Sequence, residues 1–529
     1  MGVLGRILIV FVGILLPCGA AAQYGVERLR ETELWSGSEN AAWLQALPDL
    51  RRSVVEAFLR RGTGAFVDYA ASDNAMEAGA GAESYYRLNP RVAFHGKVEY
   101  RYFSGQNMGG SAWIDPHTAP FDLVEAADTN RGVKHLEQYR LTGAMSVNVW
   151  RGLSLGGRID YRAAGYAKTR DLRHINKYSD IAFSAGVHYA FGEHAEAGIN
   201  GFYRHSAEDI SFDRYGTTDR QYTSLVSFGG FFGRTELFST LGRGYTIDAN
   251  PLFDSYRGAA AQAVWRFAAG WQLFVEAGGR RRSGQYGKRS TTTAVFTEHE
   301  GDEYALTGTL SFRRPHAHHL LKAEGRQASL KNSENVFREE TTTGNRSEIV
   351  YYGQNLVRDA LQQHARLAYT GSFGPDNDRP RWRVEAGTGY VRSRQTVAQY
   401  PYYRRQSAYC YDLFLSASRT VEWQQYDLRL TLGGACASGG GNPKDDGTYL
   451  PPSATQKPPK NFDGYLYRQF DYLTATRAGG NIETAVARRF RSGTQASLAL
   501  RYEIAHALQP VRIPGNAFHF VSLSLRYEL

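Results

Sequence analysis

Two short stretches of the chain hold side chains able to ligate a metal. RRPHAHH sets His316, His318 and His319 within four positions, and TEHEGDE sets Glu298, His299, Glu300, Asp302 and Glu303 almost side by side. Imidazole suits zinc, and clustered carboxylates suit a hard divalent ion. The histidines have no Cys or carboxylate partner in their own turn, the composition of a polar turn, and the acidic stretch serves solvation as well as it serves weak cation binding. Neither is expected to be a metal site, and no cofactor is expected. Cys410 and Cys436 are the thiols left once the amino-terminal leader is discounted. A hairpin turning near Thr420 leaves them about five residues, roughly 17 Å, out of register, which argues against a disulfide. The chain lacks a Gly-x-Ser-x-Gly elbow, a His-Glu-x-x-His helix and a Walker loop. It is therefore read as a non-enzyme without catalytic residues, with a membrane-embedded hydrolase assembled from separate strands as the minor alternative.

A second pattern is charge placed by parity. Lys97, Arg101, Arg140, Arg158, Arg162, Arg313, Arg366, Arg383, Arg429 and Arg501 all fall on the polar positions of segments in which alternate residues are apolar. If those faces line a hydrated lumen, they form a lumenal basic set whose potential favours anions. Arg158 with Asp160, and Arg501 with Glu503, sit two residues apart on one face and cancel part of that field. Modest anion selectivity is the expectation.

Strands are what would position such residues. In the closing stretch FHFVSLSLRYEL, Val521, Leu523, Leu525, Tyr527 and Leu529 alternate with Ser522, Ser524, Arg526 and Glu528. Val92, Phe94, Val98, Tyr100 and Tyr102 oppose His95, Lys97, Glu99 and Arg101, and Tyr426, Leu428, Leu430 and Leu432 oppose Asp427, Arg429 and Thr431. Period two recurs along the chain. One apolar and one wet face per strand is the requirement of an antiparallel transmembrane β-barrel. The mean hydropathy of −0.45 agrees with that fold, because lumenal and lipid-facing residues average out while 34 Tyr remain for the interfaces. A secreted β-sandwich or β-solenoid is the alternative.

Connection lengths sharpen the reading. Short turns fall near 88–91, 151–152, 192–193, 233–234, 268–270, 314–318, 374–380, 419–422 and 490–494, and long loops near 104–136, 166–178, 205–221, 243–257, 283–301, 330–359, 393–407, 435–477 and 507–517. The two classes alternate without a break, as periplasmic turns and extracellular loops do in outer-membrane barrels. Counting the segments at 51–61 and 76–87, about 20 strands are expected, within a range of 16–20. The 435–477 loop, rich in Gly and Pro, is not expected to form regular structure and either enters the pore, covers its mouth or lies free on the surface.

At the amino terminus, Arg6, an apolar run from Ile7 to Leu16 and Ala20-Ala21-Ala22 compose a secretory signal peptide over 1–22. Pro17 before Cys18 argues against lipidation. Residues 23–52 are then an arm in the periplasm or lumen, too short for a separate plug domain, and 53–529 the barrel. The net charge of +10 is assigned to lumen and loops, with outer-membrane lipid and lipopolysaccharide as partners and no nucleic acid.

Three stretches, SGSENAAWL at 36–44, SGQNMGGSAWIDPHTAPFDLVE at 104–125 and GYAKTRDLRHINKYSD at 165–180, resemble a family of outer-membrane β-barrel proteins of Bacteroidota without an assigned activity. The resemblance implies an outer-membrane location in a Gram-negative bacterium, and an accessory part in nutrient or metal uptake beside an energised receptor or a surface lipoprotein. It gives no residue a role. The functional expectation is a passive or accessory transport channel for small solutes, with a surface adhesion or assembly scaffold as the rival.

Overall fold

The computed structural model describes residues 25–47, 51–125, 130–216, 219–239, 243–247, 249–290, 293–342, 346–374, 380–509 and 511–529. The expected leader at 1–22 lies outside them. The chain is an all-β transmembrane barrel of eighteen antiparallel strands. In chain order these are β1 (Arg51–Thr63), β2 (Asn74–Asn89), β3 (Val92–Met108), β5 (Gly132–Trp150), β6 (Leu153–Lys168), β7 (Arg173–Phe191), β8 (Ala195–Asp213), β11 (Asn250–Ala268) and β12 (Trp271–Gly287). They continue with β13 (Val295–Arg314), β14 (Ala317–Thr342), β15 (Arg346–Phe373), β16 (Trp382–Gln399), β17 (Tyr402–Trp423), β18 (Tyr426–Thr448), β20 (Arg477–Arg489), β21 (Gln495–Ala507) and β22 (Ala517–Glu528). Each pairs with the next, and β1 pairs with β22, Leu59 opposite Leu523 and Ala57 opposite Leu525, to close the cylinder.

Alternation decides the faces. Leu498, Leu500, Leu523 and Leu525 form an exposed apolar patch across the closing strands, with Leu525 55% exposed, while Ser522 and Ser524 face inward. Trp150, Phe191, Trp265, Trp382 and Trp423 stand exposed near the short turns, and Tyr139, Tyr203, Tyr304, Tyr411 and Tyr502 stand exposed toward the long loops. On β17 the step from Tyr411 to Trp423 is about 40 Å of strand, or roughly 30 Å at the usual tilt, which matches an apolar band between two aromatic girdles. The two-residue turn Arg151-Gly152 requires a left-handed residue, which Gly152 supplies at φ 78°.

The expected long loops at 283–301, 330–359 and 393–407 are mostly continued strand. β14 and β15 run 26 and 28 residues and stay paired out to Thr342 opposite Arg346, where about 10 residues suffice to cross a bilayer. The hairpin expected to turn near Thr420 turns at 424–425, which puts Cys410 opposite Gly439 and Cys436 opposite Leu413. Both cysteines are free.

The expected turn at 233–234, with strands on either side of it, is not part of the wall, and this accounts for the surplus over eighteen. β9 (Thr223–Ser227) and β10 (Phe232–Leu237) form an internal sheet with β4 (Asp122–Glu125) and β19 (Lys460–Asn461), in the order β19-β10-β9-β4. Their chain segments come from three different loops and meet in the loop-end mouth. The 435–477 stretch contributes the end of β18, then β19 and a helix, Asp463–Thr474, so the expectation of no regular structure is corrected there. Burial explains it: Tyr465 and Leu466 of the helix pack with Tyr69, Val124, Leu225 and Phe231. Among the described residues no helix is long and apolar enough to cross a membrane.

Candidate functional site

Two sets of the chain's own segments occupy the lumen. At the turn end, the arm from Val26 to Leu47 packs against one side of the wall through Leu29, Trp35, Trp43 and Leu44, which meet Val54, Tyr85, Val264 and Phe274. Trp35 Nε1 donates to Glu196 (2.8 Å) and its ring meets His188 and Phe274 edge-on. Asn40, fully buried, donates to the Val187 carbonyl (3.0 Å) and to the Gln262 side-chain oxygen (3.1 Å), while Ser146 donates to the Ala42 carbonyl (2.9 Å).

Glycines shape this seat. A Cβ at Gly156 would lie 2.1 Å from the Ala42 nitrogen, and one at Gly186 2.3 Å from the Asn40 side-chain oxygen. The arm therefore approaches the wall more closely than any side chain there would allow.

At the loop end, the roof consists of the internal sheet, the segment 109–121 and the helix Asp463–Thr474. Trp113 and Phe121 pack with Tyr245, Tyr286 and Phe228 in a buried aromatic cluster. The wall supplies donors for the backbone carbonyls of 109–121. Lys134 Nζ reaches Gly109 (3.1 Å) and Ser111 (2.6 Å), Asn176 reaches Ala112 (2.9 Å), Arg282 reaches Thr118 (2.9 Å), and Arg358 reaches Ala119 (3.0 Å) and Pro120 (3.2 Å). Buried carbonyls left without donors would be costly, so these bonds fix the segment in place. Burial pushes the Asp122 carboxyl up, against the hydrogen bonds it accepts from Ser111 and Tyr69.

The hairpin β9–β10 is fixed as firmly. Arg404, fully buried, donates from Nη1 to the Gly230 carbonyl (2.8 Å) and forks onto Asp446 (2.6 and 2.7 Å). Arg234 pairs with Glu334 (2.9 Å), which also accepts from the Tyr245 hydroxyl (2.8 Å). The helix joins the last loop through Asp471 and Arg512 (2.7 Å).

Between arm and roof lies a chamber of about 550 Å³. Its roof residues are Asp115, His117 and Thr118; its walls carry Tyr178, Tyr256, Glu208, Asp254, Glu303 and six arginines, Arg162, Arg204, Arg280, Arg282, Arg326 and Arg358. This is the size and mixed polarity of a small-solute site.

Of the ten basic residues picked out by parity, Arg162 alone lines this chamber. Lys97 pairs with Glu99 (2.7 Å), Arg101 with Glu77 (2.7 Å), Arg158 with Asp160 (2.6 Å), Arg429 with Glu483 (3.2 Å), and Arg383 and Arg501 with Glu385 and Glu503. Arg366 stacks over Phe414 at 5.0 Å, and Arg140 and Arg313 are exposed, with no ion pair among the described residues. The other chamber arginines were not singled out by parity. Arg358 fell inside a segment read as loop, and in the run Arg280-Arg281-Arg282 the outer two face in while Arg281 faces out to Glu300. The histidines of RRPHAHH separate, His318 bonding Ser311 inside (2.9 Å) and His319 bonding Tyr369 (2.8 Å). Among the described residues no three His, Cys, Asp or Glu side chains form a metal-holding group.

Residues 41–529 match the model described as Family of unknown function (DUF6850). A search of curated proteins finds no match. Solved structures similar in overall shape include the ferric preacinetobactin receptor BauA of Acinetobacter baumannii (9% identity, TM-score 0.43, covering 91% of this chain and 80% of that one). Others are the outer-membrane transporter YddB of Escherichia coli (7%, 0.41, 90% and 80%) and the FrpB iron transporter of Neisseria meningitidis (8%, 0.34, 93% and 83%).

Proposed function

The chain belongs to the Family of unknown function (DUF6850), and on that premise we propose that it is an outer-membrane transport barrel for small solutes whose mouth is held shut at rest. The short turns face the periplasm and the long loops the cell exterior of a Gram-negative bacterium. The roof is the gate, the arm narrows the passage, and the chamber between them is where a solute pauses. The observation that carries this reading is the roof itself, three loops knitted into one sheet over a chamber lined by charged side chains. A permanently open pore has no use for such a closure. The role is accessory rather than catalytic, with outer-membrane lipid and lipopolysaccharide around the barrel and, as the Bacteroidota resemblance implies, a neighbouring uptake receptor or surface lipoprotein as partner.

Conductance of the purified protein in planar bilayers tests it. The intact chain should conduct little, and replacing 219–247 by a short Gly-Ser link should raise conductance in discrete steps. A folded, roofless barrel that stays silent sinks the transport reading. A surface scaffold is the second reading, favoured by the tall ribbon that β14 and β15 raise beyond the bilayer.

A further inference from the structure

The six chamber arginines are not equivalent. Four have carboxylate partners: Arg204 with Asp180 (2.8 Å), Arg280 with Glu39 (2.7 Å), Arg282 with Asp254 (2.6 Å) and Arg326 with Glu303 (2.9 Å). Two are held by neutral groups. Arg162 donates to the Gln138 side-chain oxygen (2.7 Å) and lies over the Tyr178 ring at 4.7 Å. Arg358 donates from Nη1 alone to the carbonyls of Ala119 and Pro120, and its Nε is buried without a hydrogen-bond partner. Arg162 stands on β6 and Arg358 on β15, across the lumen from one another.

None of the remaining acids of the lining is ion-paired with either of these two. Asp254 and Glu303 are already paired, and Glu208 accepts from the Asn176 side chain and the Ile114 amide (3.0 Å). Asp115, exposed on the roof, is the one acid of the lining without a described partner. Two guanidiniums without an ion-paired carboxylate in a confined, partly desolvated space attract a bound anion, because charge-assisted bonds to a carboxylate or phosphate are the strong ones.

We infer that the chamber binds a compact solute carrying at least two carboxylate or phosphate groups, gripped between Arg162 and Arg358. The inference rests on the transport reading for its purpose, not for its geometry. Tyr178 and Tyr256 offer apolar flank for the body of the solute, and the volume limits it to the size of a small metabolite. Because Asp115 faces the same space, it opposes the ligand and sets a limit on affinity.

The test is equilibrium dialysis of citrate and of inorganic pyrophosphate against the full-length protein in detergent, with glucose and spermidine as neutral and cationic probes. Both anions should bind, more weakly as salt rises. Arg162→Gln and Arg358→Gln should each weaken binding about ten-fold or more, Asp115→Asn should tighten it, and Arg501→Gln, on a distant strand outside the chamber, should leave it unchanged. Should Arg358→Gln loosen the roof, Arg358→Lys keeps the charge and should retain most of the binding. Glucose binding as well as citrate, or anion binding indifferent to both arginine changes, overturns the inference. If the roofless barrel conducts but no anion binds, the solute class is wrong and transport stands. If the anions bind and the roofless barrel is silent, the site stands and transport falls.

Discussion

A single methyl-bearing side chain placed on the wall should unseat the arm without any change in the arm's own sequence. Gly156 faces the lumen on β6, and a Cβ there falls 2.1 Å from the Ala42 nitrogen, where ordinary contacts begin at 3.4 Å. The overlap of about 1.3 Å is with backbone, which has no rotamer to escape through. In Gly156→Val the arm must lift, losing the bonds of Asn40 to Val187 and Gln262 and of Ser146 to Ala42. Three buried hydrogen bonds at about 1 kcal/mol each, with some packing lost around Trp43, come to about 3–4 kcal/mol. Amide exchange of residues 40–46 should then quicken by a factor of about 10² to 10³. The strand itself should gain slightly, since a β-branched residue suits it better than glycine. Gly157 is the control: it faces outward with nothing within 4 Å of its Cβ, so Gly157→Val should leave the arm protected. Hydrogen exchange with mass spectrometry reads both, and heat-modifiable migration on gels reports barrel folding. If the arm stays protected in a folded Gly156→Val barrel, the seat described here is wrong.

Other substitutions separate the remaining claims. Leu525→Arg should cost about 2–4 kcal/mol of folding free energy in lipid vesicles while Ser524→Arg costs under about 1; equal losses would mean the closing strand is in the wrong register. Arg404→Leu removes the grip on Gly230 and Asp446, which should loosen the roof and raise bilayer conductance, with no rise arguing against the gate. An impermeant thiol reagent on whole cells should label Cys at Thr455, which is exposed, and not Cys at Ala112, which is buried in the roof. The hydrogen bond to Asp68 (2.8 Å) raises the His117 imidazole above its ordinary range. Its contribution to docking the 64–73 and 109–121 loops is therefore complete below about pH 6.5 and lost as pH climbs through the raised value. Corrected exchange in those loops should be faster at pH 8.5 than at pH 6, and His117→Gln should flatten the difference.

Strand parity was legible because lipid enforces it: an outward polar residue is penalised, so Leu523, Leu525 and Leu430 declare their face by spacing alone. The pairs Arg158 with Asp160 and Arg501 with Glu503 were legible for the same reason, being two residues apart on one strand. Arg429 with Glu483 was not, because it depends on which strand lies alongside and in what register. The hairpin at 223–237 misled because a strand buried inside the mouth and one crossing the bilayer are both apolar. What distinguished it was the run Leu225, Val226 and Phe228, buried on both faces where a wall strand alternates. The arm's seat left no sequence signal beyond glycines, whose meaning depends on what approaches them.

The internal sheet joins β4, β9–β10 and β19, which arrive from loops on different sides of the cylinder. Each of these edges is hydrogen-bonded to the next, so none can withdraw alone without stranding its neighbour's amides and carbonyls. If the roof is the gate proposed above, closure is cooperative: partial withdrawal costs nearly as much as full release and gains little passage. Single-molecule current records should show two levels and a steep dependence on whatever favours release, the behaviour of a latch and not of a valve that opens by degrees.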